Sequence, residues 1–92
     1  AVSAFETPEE GIAMANDSDY GLTASVFTGS NKTAHNAARA LRAGTVSVNC
    51  YSEGDAATPF GGYKLSGFGG RDKSLAAHDH YCETKTIWID LS

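Results

Sequence analysis

The sequence predicts an α/β fold, and three observations carry that reading. Strand and helix signals alternate along most of the chain, which favours parallel βαβ units with helices covering the sheet. A capped helix start opens the alternation, and runs rich in β-branched residues, bounded by glycine and turn residues, punctuate it. With 92 residues, such a chain buries only roughly 60–65% of the surface its unfolded form exposes. The predicted elements therefore amount to half a domain.

The order of elements follows from local chemistry. Ala1-Val2-Ser3-Ala4-Phe5 reads as a strand with no polar lead-in, and the opening on Ala1 rather than Met gives the expectation of a truncation with neighbours upstream. Thr7-Pro8-Glu9-Glu10 is a helix start: Thr caps free N–H groups, Pro tolerates the first helical position and Glu closes a capping box. A helix from Pro8 to about Asn16 follows. Ser18-Asp19-Tyr20-Gly21 is turn chemistry, and Leu22 to Thr28 has the alternation of a strand. From Asn31 to Ala43 the residues Ala34, Ala37, Ala38 and Leu41 recur at helical spacing, with Lys32, His35, Arg39 and Arg42 on other faces and Gly44 as C-cap. Thr45 to Cys50 is a short buried strand, and a long loop runs from about Tyr51 to Lys73. A helix from about Ser74 to Tyr81 and a strand from Thr84 to Leu91 complete the chain.

Composition narrows the partners. A formal charge of −4 without a Lys/Arg cluster argues against nucleic acid. No apolar run approaches the ~18–20 residues that cross a bilayer, so no membrane partner is expected. Cys50 and Cys82 form neither a CxxC pair nor a disulfide framework, which points to a reducing, cytoplasmic compartment. Each reads as a small apolar residue. His35, His78 and His80 lack metal-ligand spacing and read as solvated helix surface.

The segment from Pro59 to Arg71 is glycine-rich, but it fails both nucleotide-loop patterns. A P-loop ending at Lys73-Ser74 needs Gly where Asp72 stands, and a dinucleotide fingerprint from Gly67 meets Asp72 at its last glycine. Neither has the strand that must run into it. Glycines here let an irregular loop turn tightly against other backbone, and long loops after strands are where open α/β folds build sites.

Several runs carry a specific resemblance: Arg42-Ala43-Gly44-Thr45-Val46-Ser47-Val48-Asn49, Pro59-Phe60-Gly61-Gly62-Tyr63-Lys64, Ser66-Gly67 and Glu83-Thr84-Lys85-Thr86. Over essentially its whole length the chain resembles the C-terminal region of the aldehyde dehydrogenase superfamily, starting just after that family's Glu-x-Phe-Gly-Pro motif. The resemblance implies the C-terminal part of a catalytic domain over residues 1–82 and an oligomerisation strand over residues 83–92. It also implies a parent enzyme that oxidises an aldehyde to a carboxylic acid with NAD or NADP. In that chemistry a cysteine thiolate attacks the carbonyl, hydride leaves to the cofactor, and activated water hydrolyses the thioester.

In the family those groups and the main cofactor-binding segments lie upstream, so no catalytic residue is expected here, and Cys50 is far downstream of the nucleophile's motif. Phe60 matches an aromatic near the substrate pocket. Residues from Tyr51 to Thr58 match a loop lining the aldehyde entrance, where Gly54 replaces the bulky aromatic of some relatives. With Glu53 and Asp55 beside it, that loop is similar to γ-glutamyl-aminobutyraldehyde dehydrogenases and implies an aldehyde with an amine or amide tail. Lys64 and Gly67 match positions whose carbonyls hold a monovalent cation between subunits. The last strand alternates Lys85, Ile87, Ile89 and Leu91 with Thr84, Thr86, Trp88 and Asp90, so both faces have something to bury. Pairing with a second copy, as relatives do, gives the expectation of a homo-oligomer. The alternative class is a non-catalytic interaction or assembly module sharing the fold.

Overall fold

A parallel pair of short strands, bridged by a helix, forms the middle of the protein in a computed structural model that describes residues 1–51 and 54–92. Helix α1 (Pro8–Asn16) starts as the sequence predicts. Thr7 Oγ1 accepts the Glu10 N–H at 3.2 Å, and Glu10 Oε2 accepts the Glu6 N–H at 3.0 Å. There follow β1 (Tyr20–Gly21), β2 (Thr23–Val26), α2 (Asn31–Ala40), β3 (Thr45–Val48), β4 (Tyr63–Lys64) and α3 (Ala76–Asp79). Strands β2 and β3 pair in parallel, with Thr23 opposite Thr45 and Val26 opposite Val48. Helix α2 makes the crossover, so this is the expected βαβ unit.

Several boundaries differ from the sequence reading. The strand predicted to reach Cys50 stops at Val48 because Asn49 turns to a φ of 55°. Its N–H still donates to the Val26 carbonyl at 2.7 Å, while its Oδ1 accepts the Thr28 N–H at 2.8 Å. Helix α2 gains a cap from Ser30, whose Oγ accepts the Thr33 N–H, and ends at Ala40 with Leu41 in extended conformation. Gly44 is thus not its C-cap. Instead the Gly44 N–H donates to the Gly21 carbonyl at 3.0 Å, and its Cα lies so close to Gly61 that a Cβ would overlap the Gly61 carbonyl. Helix α3 is half the predicted length, since Lys73 and Ser74 take φ of 59° and 54°, outside the right-handed helical region.

The predicted turn before Leu22 and the predicted loop after Tyr51 contain a pairing the sequence did not show. Strands β1 and β4 run antiparallel, Tyr20 opposite Lys64 and Gly21 opposite Tyr63. Two residues are too few to display alternation. Conversely, residues 1–5 and 84–91 make no ladder among the described residues, and both segments are exposed. A strand exists only through a neighbour that answers its backbone groups, and neither segment has one among the described residues.

Little of the apolar surface is closed off. Among the described residues Ala37, at 5% exposure, is the buried apolar side chain, whereas Phe27, Tyr51, Phe68, Trp88 and Leu91 are exposed. The radius of gyration is 18.4 Å, against about 12 Å for a compact domain of this size. Secondary structure is present without a sealed core.

The close approach at Gly44 makes a prediction for the full-length protein. Gly44→Ala lowers stability by about 1–3 kcal/mol through overpacking against backbone, while Gly29→Ala, where a Cβ meets nothing within 4 Å, stays within about 0.5 kcal/mol of the parent. Denaturant midpoints measure both. Equal midpoints would remove the contact from the account.

Candidate functional site

The glycine-rich segment folds back on itself. Phe60 and Asp72 exchange two main-chain hydrogen bonds, Phe60 N–H to the Asp72 carbonyl at 2.8 Å and Asp72 N–H to the Phe60 carbonyl at 2.6 Å. Between these limbs the chain turns tightly: the Ser66 N–H reaches the Tyr63 carbonyl at 3.0 Å and Lys64 takes a φ of 52°. Ser66 Oγ accepts the Gly21 N–H at 3.0 Å and ties the turn to β1. The folded segment borders an open cavity of about 290 Å³, walled by Phe60, Ser66, Gly67, Phe68, Asp72 and His80.

Cationic side chains brace its surroundings. Lys64 Nζ donates to the carbonyls of Asn16 and Ser18, at 2.7 Å each, and so places a positive charge at the C-terminal end of α1. Asn16 is itself a clamp: its Nδ2 donates to the Ala40 carbonyl at 2.9 Å and its Oδ1 accepts the Arg42 N–H at 2.8 Å. The Arg42 guanidinium lies 4.7 Å from the Tyr63 ring centre, and that of Arg71 lies 5.6 Å from it. Lys73 Nζ sits 5.6 Å from the centre of the Phe60 ring without lining the cavity.

The expected site residues separate into groups. Phe60 and Gly67 meet at the cavity, whereas the Lys64 side chain leaves for the end of α1 and its carbonyl accepts the Gly67 N–H at 3.3 Å. Gly54 and Asp55 are exposed in the segment before it. Asp55 Oδ1 accepts the Ala57 N–H at 2.8 Å and the Thr58 hydroxyl at 3.2 Å, so this carboxylate shapes its own turn. Glu53 lies outside the described residues. Cys50 is a free thiol, half-buried beyond the end of β3, and no histidine or carboxylate among the described residues bonds to it. Cys82 is exposed, with Sγ 3.7 Å from His78 Nδ1.

Among the histidines, His35 is solvated helix surface as expected, and His78 is exposed with Asp79 Oδ1 4.0 Å away. His80 is exposed as well, but it makes a contact that the sequence reading did not include. Its Nε2 accepts the Arg71 N–H at 2.6 Å and its ring walls the cavity. No local pattern announces this, because the partner is a backbone amide brought in by the fold. Among the described residues no group of three or more His, Cys, Asp or Glu could hold a metal ion. Away from the cavity, Ser92 donates its hydroxyl and its N–H to Asp90 Oδ1, which lowers that carboxyl's pKa below the usual aspartate value. A second, apolar groove of about 410 Å³ opens between α1, α2 and the end of β2, lined by Phe5, Ile12, Val26, Phe27 and Leu41.

Comparison with known proteins places this geometry. The sequence pattern described as "Aldehyde dehydrogenase family" matches residues 1–87. The chain is 62% identical over 92 residues to an aminoacetaldehyde dehydrogenase of Pseudomonas aeruginosa, covering all of this chain and 18% of that protein. Among solved structures it is similar to an indole-3-acetaldehyde dehydrogenase complexed with NAD+, at 57% identity and a TM-score of 0.85, over 95% of this chain and 17% of that one. A γ-glutamyl-γ-aminobutyraldehyde dehydrogenase from Burkholderia cenocepacia matches with 58% identity and a TM-score of 0.75, over 79% of this chain and 15% of its own. The chain therefore spans less than a fifth of the length of these relatives.

Proposed function

The chain belongs to the aldehyde dehydrogenase family, and we propose that it acts as the C-terminal part of an NAD(P)-dependent enzyme oxidising an aldehyde to a carboxylic acid through a cysteine thioester. The observation that carries this reading is similarity along the whole chain to dehydrogenases several times its length. The thiolate, the base that activates water and the principal cofactor site belong to the remainder. In keeping with that, the glycine-rich segment has neither nucleotide-loop pattern and Cys50 has no activating base among the described residues. When bound, NAD or NADP accepts the hydride.

What this part contributes is shape. Phe60 forms an aromatic wall, and Gly54 leaves the neighbouring segment without bulk, so an aldehyde chain is guided rather than reacted here. The exposed Phe27, Phe68 and groove residues supply apolar surface for the rest of the catalytic domain to cover. The substrate class we assign is an aldehyde with an amine or amide tail, attracted by Glu53 and Asp55. Relatives named for aminoacetaldehyde and γ-glutamyl-γ-aminobutyraldehyde support it. Lys64 and Gly67 are assigned, through their carbonyls, to a monovalent cation between subunits. Two free cysteines support a cytoplasmic setting, and no helix of the described residues is long and apolar enough to cross a membrane.

Residues 83–92 are assigned to an intersubunit sheet in a homo-oligomer. Ile87 and Ile89 are each 70% exposed and Trp88 91%, and an unpaired apolar strand is an aggregation hazard unless another chain satisfies it. Burying each large aliphatic side chain contributes about 1.5–3 kcal/mol, more than an exposed ion pair at ~0–1 kcal/mol.

Three measurements test these assignments. The isolated chain, incubated with NAD+ and aldehydes, is expected to give no turnover; activity abolished by Cys50→Ser would instead make this thiol the nucleophile. In the full-length enzyme, Asp55→Asn keeps the turn's Oδ1 acceptor while removing the charge, and Glu53→Gln removes its charge likewise. Each should lower kcat/KM for a cationic aminoaldehyde about two- to fivefold more than for a neutral aliphatic aldehyde, and equal losses would sink the electrostatic assignment. For assembly, Ile89→Glu and Ile87→Pro should each reduce the molar mass seen by light scattering. Folded variants that keep the parent's mass on dilution would take the last strand out of the interface.

A further inference from the structure

His80 is exposed, as its sequence reading has it, and it also links the segment after Lys73 to the folded glycine-rich segment. Its Nε2 accepts the Arg71 N–H at 2.6 Å, and the next residue, Asp72, is the one whose N–H and carbonyl pair with Phe60. One peptide unit thus separates the imidazole from the ladder that holds Phe60. The ring rests against Gly70 so closely that a Cβ there would overlap it. From the other side, Arg71 Nη1 donates to the Gly70 carbonyl at 2.7 Å, so the Gly70–Arg71 peptide is gripped at both its carbonyl and its N–H. His80, Asp72 and Phe60 wall the same cavity of about 290 Å³.

The direction of the bond fixes the chemistry. A backbone N–H only donates, so Nε2 must present its lone pair, and the ring proton of the neutral imidazole resides on Nδ1. A lysine at this position would offer only donors, and an aliphatic side chain nothing. An exposed hydrogen bond is too weak to decide whether a protein folds, but it is strong enough to choose where a loop limb sits.

We infer that His80 is a positioning residue for substrate recognition: by accepting the Arg71 N–H it sets the Gly70–Asp72 limb and, through the paired main chain, the placement of Phe60 against the aldehyde. This rests on the proposed aldehyde-oxidising function for its kinetic consequence, though not for the contact itself.

The test uses the full-length enzyme with His80→Leu, which removes the acceptor, and His80→Gln, which retains one. The Leu variant should raise KM for the aldehyde about tenfold through misplacement of the pocket wall, with kcat, KM for the nicotinamide cofactor and the melting temperature close to the parent's. The Gln variant should return the aldehyde KM most of the way to the parent value. An unchanged aldehyde KM in the Leu variant would overturn the inference. So would parallel losses in both KM values and melting temperature that Gln does not rescue, because they mark a general packing role. Hydrogen exchange supplies a readout independent of turnover: the peptide containing the Arg71 amide should exchange faster in the Leu variant than in the parent or the Gln variant. If the parent oxidises no aldehyde, the proposed function falls, while equal exchange in all three proteins would still refute the His80 contact.

Discussion

The approach of Gly44 to Gly61 is the constraint on which the rest of the arrangement depends. It brings the entrance of β3 against the glycine-rich segment at backbone distance, which only residues without a side chain permit. From that contact the βαβ unit on one side and the cavity on the other acquire a fixed relation. Gly21 extends the same junction, since its carbonyl takes the Gly44 N–H, its N–H reaches Ser66 Oγ, and a Cβ there would overlap the Arg42 carbonyl.

Polar side chains then do what a sealed core does elsewhere. Asn16 joins the ends of α1 and α2, and Lys64 carries the end of α1 onto β4. These bonds are mostly exposed, and each contributes modestly, on the order of 1 kcal/mol. They orient elements whose apolar faces are still open. The division suits the role proposed for this chain as one part of a longer dehydrogenase: local bonds set geometry, and burial against the proposed remainder would supply most of the stability.

Legibility from sequence followed the range of the interaction. The start of α1 was readable because Thr7, Pro8 and Glu10 act on backbone groups within one turn. The parallel pairing of β2 and β3 was readable because alternation and an intervening helix constrain it. The β1–β4 pair, the end of α2 and the role of His80 were not, since each depends on a partner beyond the reach of a single helical turn and carries no periodic mark. The proposed activity rests on resemblance, because no residue pattern in this sequence by itself marks a reacting centre.

By itself the sequence determined the family, the α/β alternation and the N-terminal cap of α1, all of which rest on residue identity and short-range chemistry. Only the tertiary structure decided that Gly44 serves a close approach rather than a helix end, that Phe60 and Gly67 share a cavity while Lys64 turns away, and that His80 holds a backbone amide. It also left residues 1–5 and 84–91 without strand partners among the described residues. The physical reason is the same in each case: a side chain's partner is selected by where the backbone has been carried, and a strand's hydrogen bonds belong to whichever neighbour is brought alongside it.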